Sequence, residues 1–289
     1  MDTKEILKKV RSIEIKTKGL SNHIFAGEYN TAFKGRGMTF SEVREYEIGD
    51  DLRTIDWNVT ARYNSPFVKV FEEEREITLM LIVDVSSSSS FGTNKRFKRE
   101  LVSEISAVLA FSAIKNNDKV GVIFFSDKIE KFISPSKGKK HILRIIKEIL
   151  TFESTSKKTN IKKALEYFNR VTKKRSICFL LSDFFDSDFF EPVKLSAKRQ
   201  DLVAVNTLDS RELEIPNVGL LSLQDSEEDN EILVDSSDRK FRRNFKNKQL
   251  SRLETLKKEL SLCGADYIQL LTQEDIISPL INFFKNRKK

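Results

Sequence analysis

From position 77 onward, short apolar runs alternate with longer stretches in which apolar residues recur every three or four positions, the pattern of consecutive strand–helix units. Residues 77–83 are apolar almost without alternation, which predicts a strand buried on both faces and therefore central in its sheet. After the loop Asp84-Val85-Ser86-Ser87-Ser88, the positions Phe97, Leu101, Ile105, Val108 and Leu109 form one stripe of an amphipathic helix that ends near Asn116-Asn117-Asp118. Residues 119–125 read as a second buried strand. Residues 129–133 alternate, as an edge strand does, and Pro135 is expected to close it. Helical patterns at 141–152 and 161–171 lead to a third central strand at 177–181, and a helix at 190–199 leads to a fourth at 202–205. Two short strands, 219–224 and 231–234, flank the acidic turn 225–230. Phe241, Phe245, Leu253, Leu256 and Leu260 then mark a long helix stopped by Gly264, before a last strand at 267–271 and a last helix at 276–284. The whole predicts an α/β fold, a Rossmann-like, mostly parallel sheet flanked by helices.

The first 76 residues follow another pattern. Ile6, Leu7, Val10 and Ile13 predict a short amphipathic helix, and the chain then becomes rich in glycine and charge, with Gly35-Arg36-Gly37, Arg44-Glu45-Tyr46 and Gly49-Asp50-Asp51. Residues 66–71 alternate apolar and polar. The expected organisation is a small β-containing N-terminal subdomain over 1–76, leaning on an α/β domain over 77–289.

Composition narrows the class. With 289 residues, 39% of them hydrophobic and 33% charged, the chain can bury a core without disulfide or metal staples, and it lies far from the disordered regime. Cys178 falls in an apolar run and Cys263 at a helix end, with no paired spacing, which fits two structural thiols in a reducing compartment. The N-terminus lacks the apolar stretch of a signal peptide, and no run approaches the roughly 20 apolar residues of a membrane span. The expected location is the cytoplasm. The net charge of +8 comes from clusters at 137–140, 157–163, 239–248 and 287–289. Each is interleaved with a helix or helix start, so two readings stand: solvated helix faces, or a basic surface for nucleic acid or an anionic membrane.

Candidate chemistry gathers where two buried strands end in aspartate, Asp84 after the first and Asp183 after the third. In an open parallel sheet, ligands collect at the carboxyl ends of strands where strand order reverses. If the two strands are neighbours, their aspartates face one crevice. Asp84, Ser86 and Ser88 alternate, so an extended loop aims all three side chains the same way. Carboxylate and hydroxyl oxygens suit Mg²⁺, Mn²⁺ or Ca²⁺ and do not suit zinc or copper. Thr159, in Lys158-Thr159-Asn160-Ile161, sets another hydroxyl at a helix start, either as a ligand or as the helix N-cap.

The order Asp-x-Ser-x-Ser, then Thr-Asn-Ile before an Ala-Leu helix, then Leu-Ser-Asp resembles the metal-ion-dependent adhesion site of von Willebrand factor A domains. The resemblance extends from about residue 77 to the C-terminus and implies that Asp84, Ser86, Ser88, Thr159 and Asp183 hold the ion, directly or through water. A partner's acidic side chain then completes its shell. Upstream, Phe40-Ser41-Glu42-Val43-Arg44-Glu45-Tyr46-Glu47-Ile48-Gly49-Asp50-Asp51-Leu52-Arg53-Thr54-Ile55-Asp56-Trp57, followed by Ala61-Arg62, resembles the signature of the bacterial "domain of unknown function 58" proteins. That resemblance implies a partner of the MoxR-type AAA+ ATPase class. Where a methionine usually follows the last serine of the metal loop, Ser89 stands here, a departure that bears on packing. The dense charges around Tyr46 and Trp57 read either as an internal ion-pair network or as a docking surface for the ATPase.

These features lead to the expectation of a non-enzymatic, metal-dependent protein-interaction module. A metal-assisted phosphohydrolase built on Asp84 is the alternative, but a phosphatase of the haloacid dehalogenase type wants a second carboxylate two residues on, where Ser86 stands. A basic-surface binder of nucleic acid or membrane is a third reading, without an aromatic–basic motif to support it.

Overall fold

The computed structural model describes residues 10–13, 38–63, 65–73, 77–93, 96–224 and 231–287. Ile6, Leu7, the glycines at 35 and 37 and the acidic turn at 225–230 lie outside them.

A six-stranded sheet organises the α/β part. Its strands are β3 (Thr78–Asp84), β4 (Lys119–Phe125), β5 (Ile129–Ser136), β6 (Ile177–Ser182), β7 (Asp201–Leu208) and β10 (Asp266–Leu271), in the order β10-β7-β6-β3-β4-β5. All neighbours are parallel except β5, which runs antiparallel along β4. The chain therefore leaves β3 toward β4 and later returns to its other side as β6. Strand order reverses between β3 and β6, which places the carboxyl ends of these strands side by side.

Period-two alternation explains the apolar runs. Leu79, Leu81 and Val83 of β3 pack with Phe179 and Leu181 of β6 against α2 (Lys98–Lys115), α3 (Lys139–Thr151) and α8 (Ile277–Asn286). Met80 and Ile82, with Cys178 and Leu180, face α4 (Ile161–Val171), α5 (Phe190–Arg199) and α7 (Arg239–Leu262). A strand buried on both faces has no polar position to spare, hence the unbroken runs. Each helix contributes one stripe, such as Ile142, Ile145, Ile146, Ile149 and Leu150 of α3. Val10 and Ile13 of the N-terminal helical turn also join the first of these two cores.

Pro135 departs from expectation, because β5 continues through it to Ser136. The β4–β5 register slips between the Val120 and Val122 pairings, and Pro135 sits at that irregularity on the sheet edge, where its missing N–H removes no ladder bond. Gly121 opposite makes room for it: a Cβ built there would lie 2.9 Å from Pro135 Cγ and 2.8 Å from Met80 Sδ. Gly121→Ala is expected to destabilise the protein by about 1–3 kcal/mol through overpacking, measurable as a lower denaturant midpoint at unchanged slope. Gly264 ends α7 as its place in the sequence suggests, at φ +80°, with Ala265 N donating to Leu260 O at 3.0 Å.

Upstream, β1 (Met38–Glu45) and β2 (Phe67–Glu73) form a separate antiparallel pair, bridged by α1 (Trp57–Tyr63). Much of the charged signature bonds within this segment. The Arg44 guanidinium forks onto Asp50 at 2.7 and 2.8 Å, and Asp50 also accepts from Glu47 N at 2.9 Å, closing the turn in which Gly49 takes φ +116°. Asp56 caps α1 through Asn58 N and Val59 N and pairs with Lys69 at 3.3 Å. Trp57 is not enclosed by these charges; it is 70% exposed. A second small pair, β8 (Leu220–Gln224) and β9 (Glu231–Asp235), precedes α7, with α6 (Ser210–Leu213) before it.

Candidate metal site

Asp84 is the last residue of β3 and shares strand parity with Met80 and Ile82, which aims its side chain toward the α4 side of the sheet. Its carboxylate is buried. Oδ1 accepts from Ser86 N at 3.0 Å, and Oδ2 accepts from the Ser182 hydroxyl at 2.6 Å. Ser86 Oγ and Ser88 Oγ stand 3.1 Å apart, and the Ser88 hydroxyl donates to Asp183. Hydrogen bonds thus link Asp84, Ser86, Ser88 and Asp183 into one chain, buried at both aspartates and half-buried at Ser88. The loop is not extended throughout, as its alternation suggests, because residues Ser87–Ser90 tighten into a 3-10 turn. Ser86 keeps an extended backbone, and the turn after it brings the Ser88 hydroxyl back beside that of Ser86.

Thr159 arrives by a different route. Lys157 O accepts from Ser87 N at 3.2 Å and from the Ser87 hydroxyl at 3.1 Å, which ties the Thr159 loop to the serine loop. Asn160 N donates to Ser126 O at the end of β4, and Ile161 N to Asp186 Oδ2 at 2.7 Å in the loop after Asp183. The carboxylate of Glu130 gathers Ser126, Ser154 and Thr155, fixing the approach to this loop. The residue that caps α4 is Asn160, whose side chain accepts from Lys163 N at 2.9 Å. Thr159 is therefore not the cap, and its buried Oγ1 has no hydrogen-bond partner. A buried hydroxyl left unbonded costs about 1–3 kcal/mol. It bonds none of the other four expected ligands, although its loop is held against both aspartate loops.

Three charged residues at the site, Lys98, Glu212 and Arg252, are not legible in the sequence pattern. Lys98, the first residue of α2, is 2% exposed; its Nζ lies 3.0 Å from Asp183 Oδ2 and also donates to Glu212. Glu212 is fixed in turn by Asp209 N, and the buried Asp209 carboxylate gathers Thr93, Thr272 and Gln273 at the ends of β7 and β10. Arg252 of α7 donates to the carbonyls of Asp183 and Phe184 at 2.9 and 3.0 Å and stacks 3.4 Å over the Phe185 ring. These bonds hold Phe184 in the left-handed region at φ 55°, a strained state for a non-glycine residue.

The electrostatics divide the two aspartates. Burial, with the nearby Asp183 charge, pushes the Asp84 carboxyl up to about 7, against the hydroxyl and amide donors from Ser182 and Ser86. Burial acts on Asp183 in the same direction, but the Lys98 ammonium and the Ser88 hydroxyl outweigh it and hold Asp183 below its ordinary value. Among the described residues no three His, Cys, Asp or Glu side chains gather as metal ligands. Any ion here rests on two carboxylates and three hydroxyls. That donor set fits a hard divalent cation: an electron-rich buried pair whose mutual repulsion a cation relieves, beside an unbonded hydroxyl. Thr159→Val tests the fit. Having no bond to lose and an unbonded hydroxyl to shed, the metal-free variant is expected to be more stable than wild type by about 1–3 kcal/mol, while its thermal shift in MgCl₂ shrinks.

Strand order, helices on both faces and an Asp-x-Ser-x-Ser loop at the point where strand order reverses define an α/β domain of the von Willebrand factor A-like kind. The chain belongs to the family described as "Protein of unknown function DUF58", whose model matches residues 42–254 and so runs across position 76. It is 26% identical over 292 residues to an uncharacterized protein of Mycobacterium tuberculosis (strain ATCC 25618 / H37Rv), covering 100% of this chain and 92% of that one. The crystal structure of an aerotolerance-related membrane protein from Bacteroides fragilis superposes with a TM-score of 0.51 at 16% identity, over 73% of this chain and 98% of that one, a likeness of fold. The VWA domain of SpRpn10 matches with a TM-score of 0.39 at 10% identity, over 72% of this chain and 94% of that one. Among the described residues no helix is long and apolar enough to cross a membrane.

Proposed function

We propose that this chain is a non-enzymatic adaptor whose Asp84 loop holds a divalent ion, Mg²⁺ or else Mn²⁺ or Ca²⁺, and through it an acidic side chain of a protein partner. When bound, the ion supplies a positive, oxygen-seeking centre to which a partner's carboxylate attaches. Asp84 and Asp183 contribute charge; Ser86, Ser88 and Thr159 contribute neutral oxygens. The observation that carries this reading is the buried Thr159 hydroxyl, relieved of any capping role by Asn160 and left without a hydrogen bond beside two aspartate loops. Ser182, Arg252 and Glu130 hold those loops in place from outside the ligand set.

The family resemblance supplies the partner class, a MoxR-type AAA+ ATPase, and the cytoplasm as the place of work. The two cysteines, both free thiols, support that location. The exposed Trp57, Ile48 and Leu52 of the upstream signature offer a second contact to the same ATPase. The test is co-purification of the MoxR-type ATPase from the native cell. Retention by wild type in Mg²⁺, with loss in EDTA or on Asp84→Ala, is the expected result; retention regardless of metal would place the ATPase elsewhere and refute the metal-dependent reading.

A further inference from the structure

A lysine is almost never fully buried unless it is paired. Lys98 is paired twice, with Asp183, one of the two carboxylates proposed for the ion, and with Glu212, which is not one of them. Glu212 is no mobile surface acid. Its Oε2 accepts from Asp209 N at 2.7 Å, while its Oε1 accepts from the ammonium, so the carboxylate is held at a fixed distance from the metal loop. The ammonium itself enters from the first residue of α2, whose backbone N bonds Phe91 O at 2.9 Å, and its Nζ lies over the Phe91 ring, 5.9 Å from the centroid. Two carboxylates, the buried Asp183 and the mostly buried Glu212, thus share one resident cation.

We infer that Lys98 competes with the divalent ion for Asp183, and that Glu212 is the second seat that retains the ammonium when Asp183 turns to the metal. The inference rests on the proposed metal reading and adds to it what sets the affinity. With Lys98 present, the cluster carries one positive charge before any ion arrives, and each ion must loosen the Lys98–Asp183 pair in order to bind. Glu212 lowers that cost twice, by its own negative charge near the ion and by giving the ammonium somewhere to stay. The charges therefore act in opposite senses, which a merely structural role does not produce.

Titration calorimetry of MgCl₂ into the EDTA-stripped full chain reads this directly, with the thermal shift in MgCl₂ as a second measure. Lys98→Met is expected to bind Mg²⁺ about tenfold tighter than wild type, and Glu212→Gln about tenfold more weakly, within the usual range of coupling between sites. The double variant, having lost one charge of each sign, is expected near wild type, so the two single effects offset each other. Should Lys98→Met alone fold poorly without metal, Glu212→Gln and the double variant still decide the sign. Binding weakened by both single variants, or unchanged by them, in a wild type that does bind Mg²⁺ overturns the competition and leaves the metal site standing. Binding by Lys98→Met with none by wild type supports the competition and refutes the resting metal site. Binding by neither overturns both.

Discussion

Asp84→Asn is expected to stabilise the metal-free protein at pH 7 while abolishing its response to Mg²⁺. An unfolded aspartate ionises near 3.8, whereas burial and the Asp183 charge raise the folded Asp84 carboxyl to about 7. Between those pH values the native state keeps a proton that the unfolded chain has lost. Stability from this group is therefore highest below about 4, declines as pH rises toward 7 because the unfolded chain gains by releasing a proton that the folded carboxyl keeps, and levels off above 7. Asparagine removes that cost and still accepts from Ser86 N, as Asp84 does through Oδ1. The gain at neutral pH is on the order of 1–4 kcal/mol and fades toward pH 4. Denaturant midpoints of both proteins in EDTA, from pH 4 to 8, check it: the curves should converge in acid and separate toward neutrality. A variant less stable than wild type at pH 7 would mean that the Asp84 carboxylate is well satisfied without a cation. The expected gain instead means that the chain keeps at its centre a carboxylate that weakens the empty fold and serves it only when a cation is present, a stability cost common at functional sites.

Phe179→Ala should be the most damaging change to the fold itself. Phe179 lies in β6 between β3 and β7, fully buried, with its ring edge-on to Phe284 of α8 at a centroid distance of 6.5 Å. The loss removes a large apolar side chain from a site walled by neighbouring strands, which relax little around the cavity. A cost of about 3–5 kcal/mol follows. Because β6 also carries Ser182 and leads into Asp183, the effect reaches the metal loop. Equilibrium unfolding should show the midpoint drop, and metal affinity measured well below that midpoint should fall with it. A loss under about 1 kcal/mol would indicate a core that repacks freely.

The sheet was legible in the sequence because strands buried on both faces leave unbroken apolar runs, and these differ sharply from helical stripes. The pattern does not say that β3 and β6 are neighbours; strand order supplies that, and with it the pairing of Asp84 with Asp183. Pro135 was misread since a proline ends a strand only if its missing N–H matters, and at an edge opposite Gly121 it does not. The backbone of the serine loop is not legible, because alternation alone cannot distinguish an extended run from a 3-10 turn that returns the same hydroxyls to one side.

Lys98 and Glu212 were invisible for a different reason. In the chain they stand among other charges, Arg96 and Arg99 on one side and Arg211 and Glu214 on the other, and such runs ordinarily face solvent. Only the fold brings them to Asp183, from 85 and 29 positions away along the chain. One signal was available: helices in such sheets begin at the carboxyl edge, so a first-turn residue like Lys98 lies at the rim of the crevice. Thr159 shows the converse. Its sequence position fitted a cap as well as a ligand, and the choice turned on which neighbour, Asn160, supplied the capping oxygen.

The central claim is that the Asp84 loop holds a divalent cation, and calorimetric titration of MgCl₂ into EDTA-stripped protein near pH 7 tests it most directly. Wild type should bind one ion saturably and release part of a proton, since Asp84 is half protonated near that pH and must ionise to bind. Asp84→Asn should show neither heat nor proton release. Equal binding by both proteins, or none by wild type, would contradict the account.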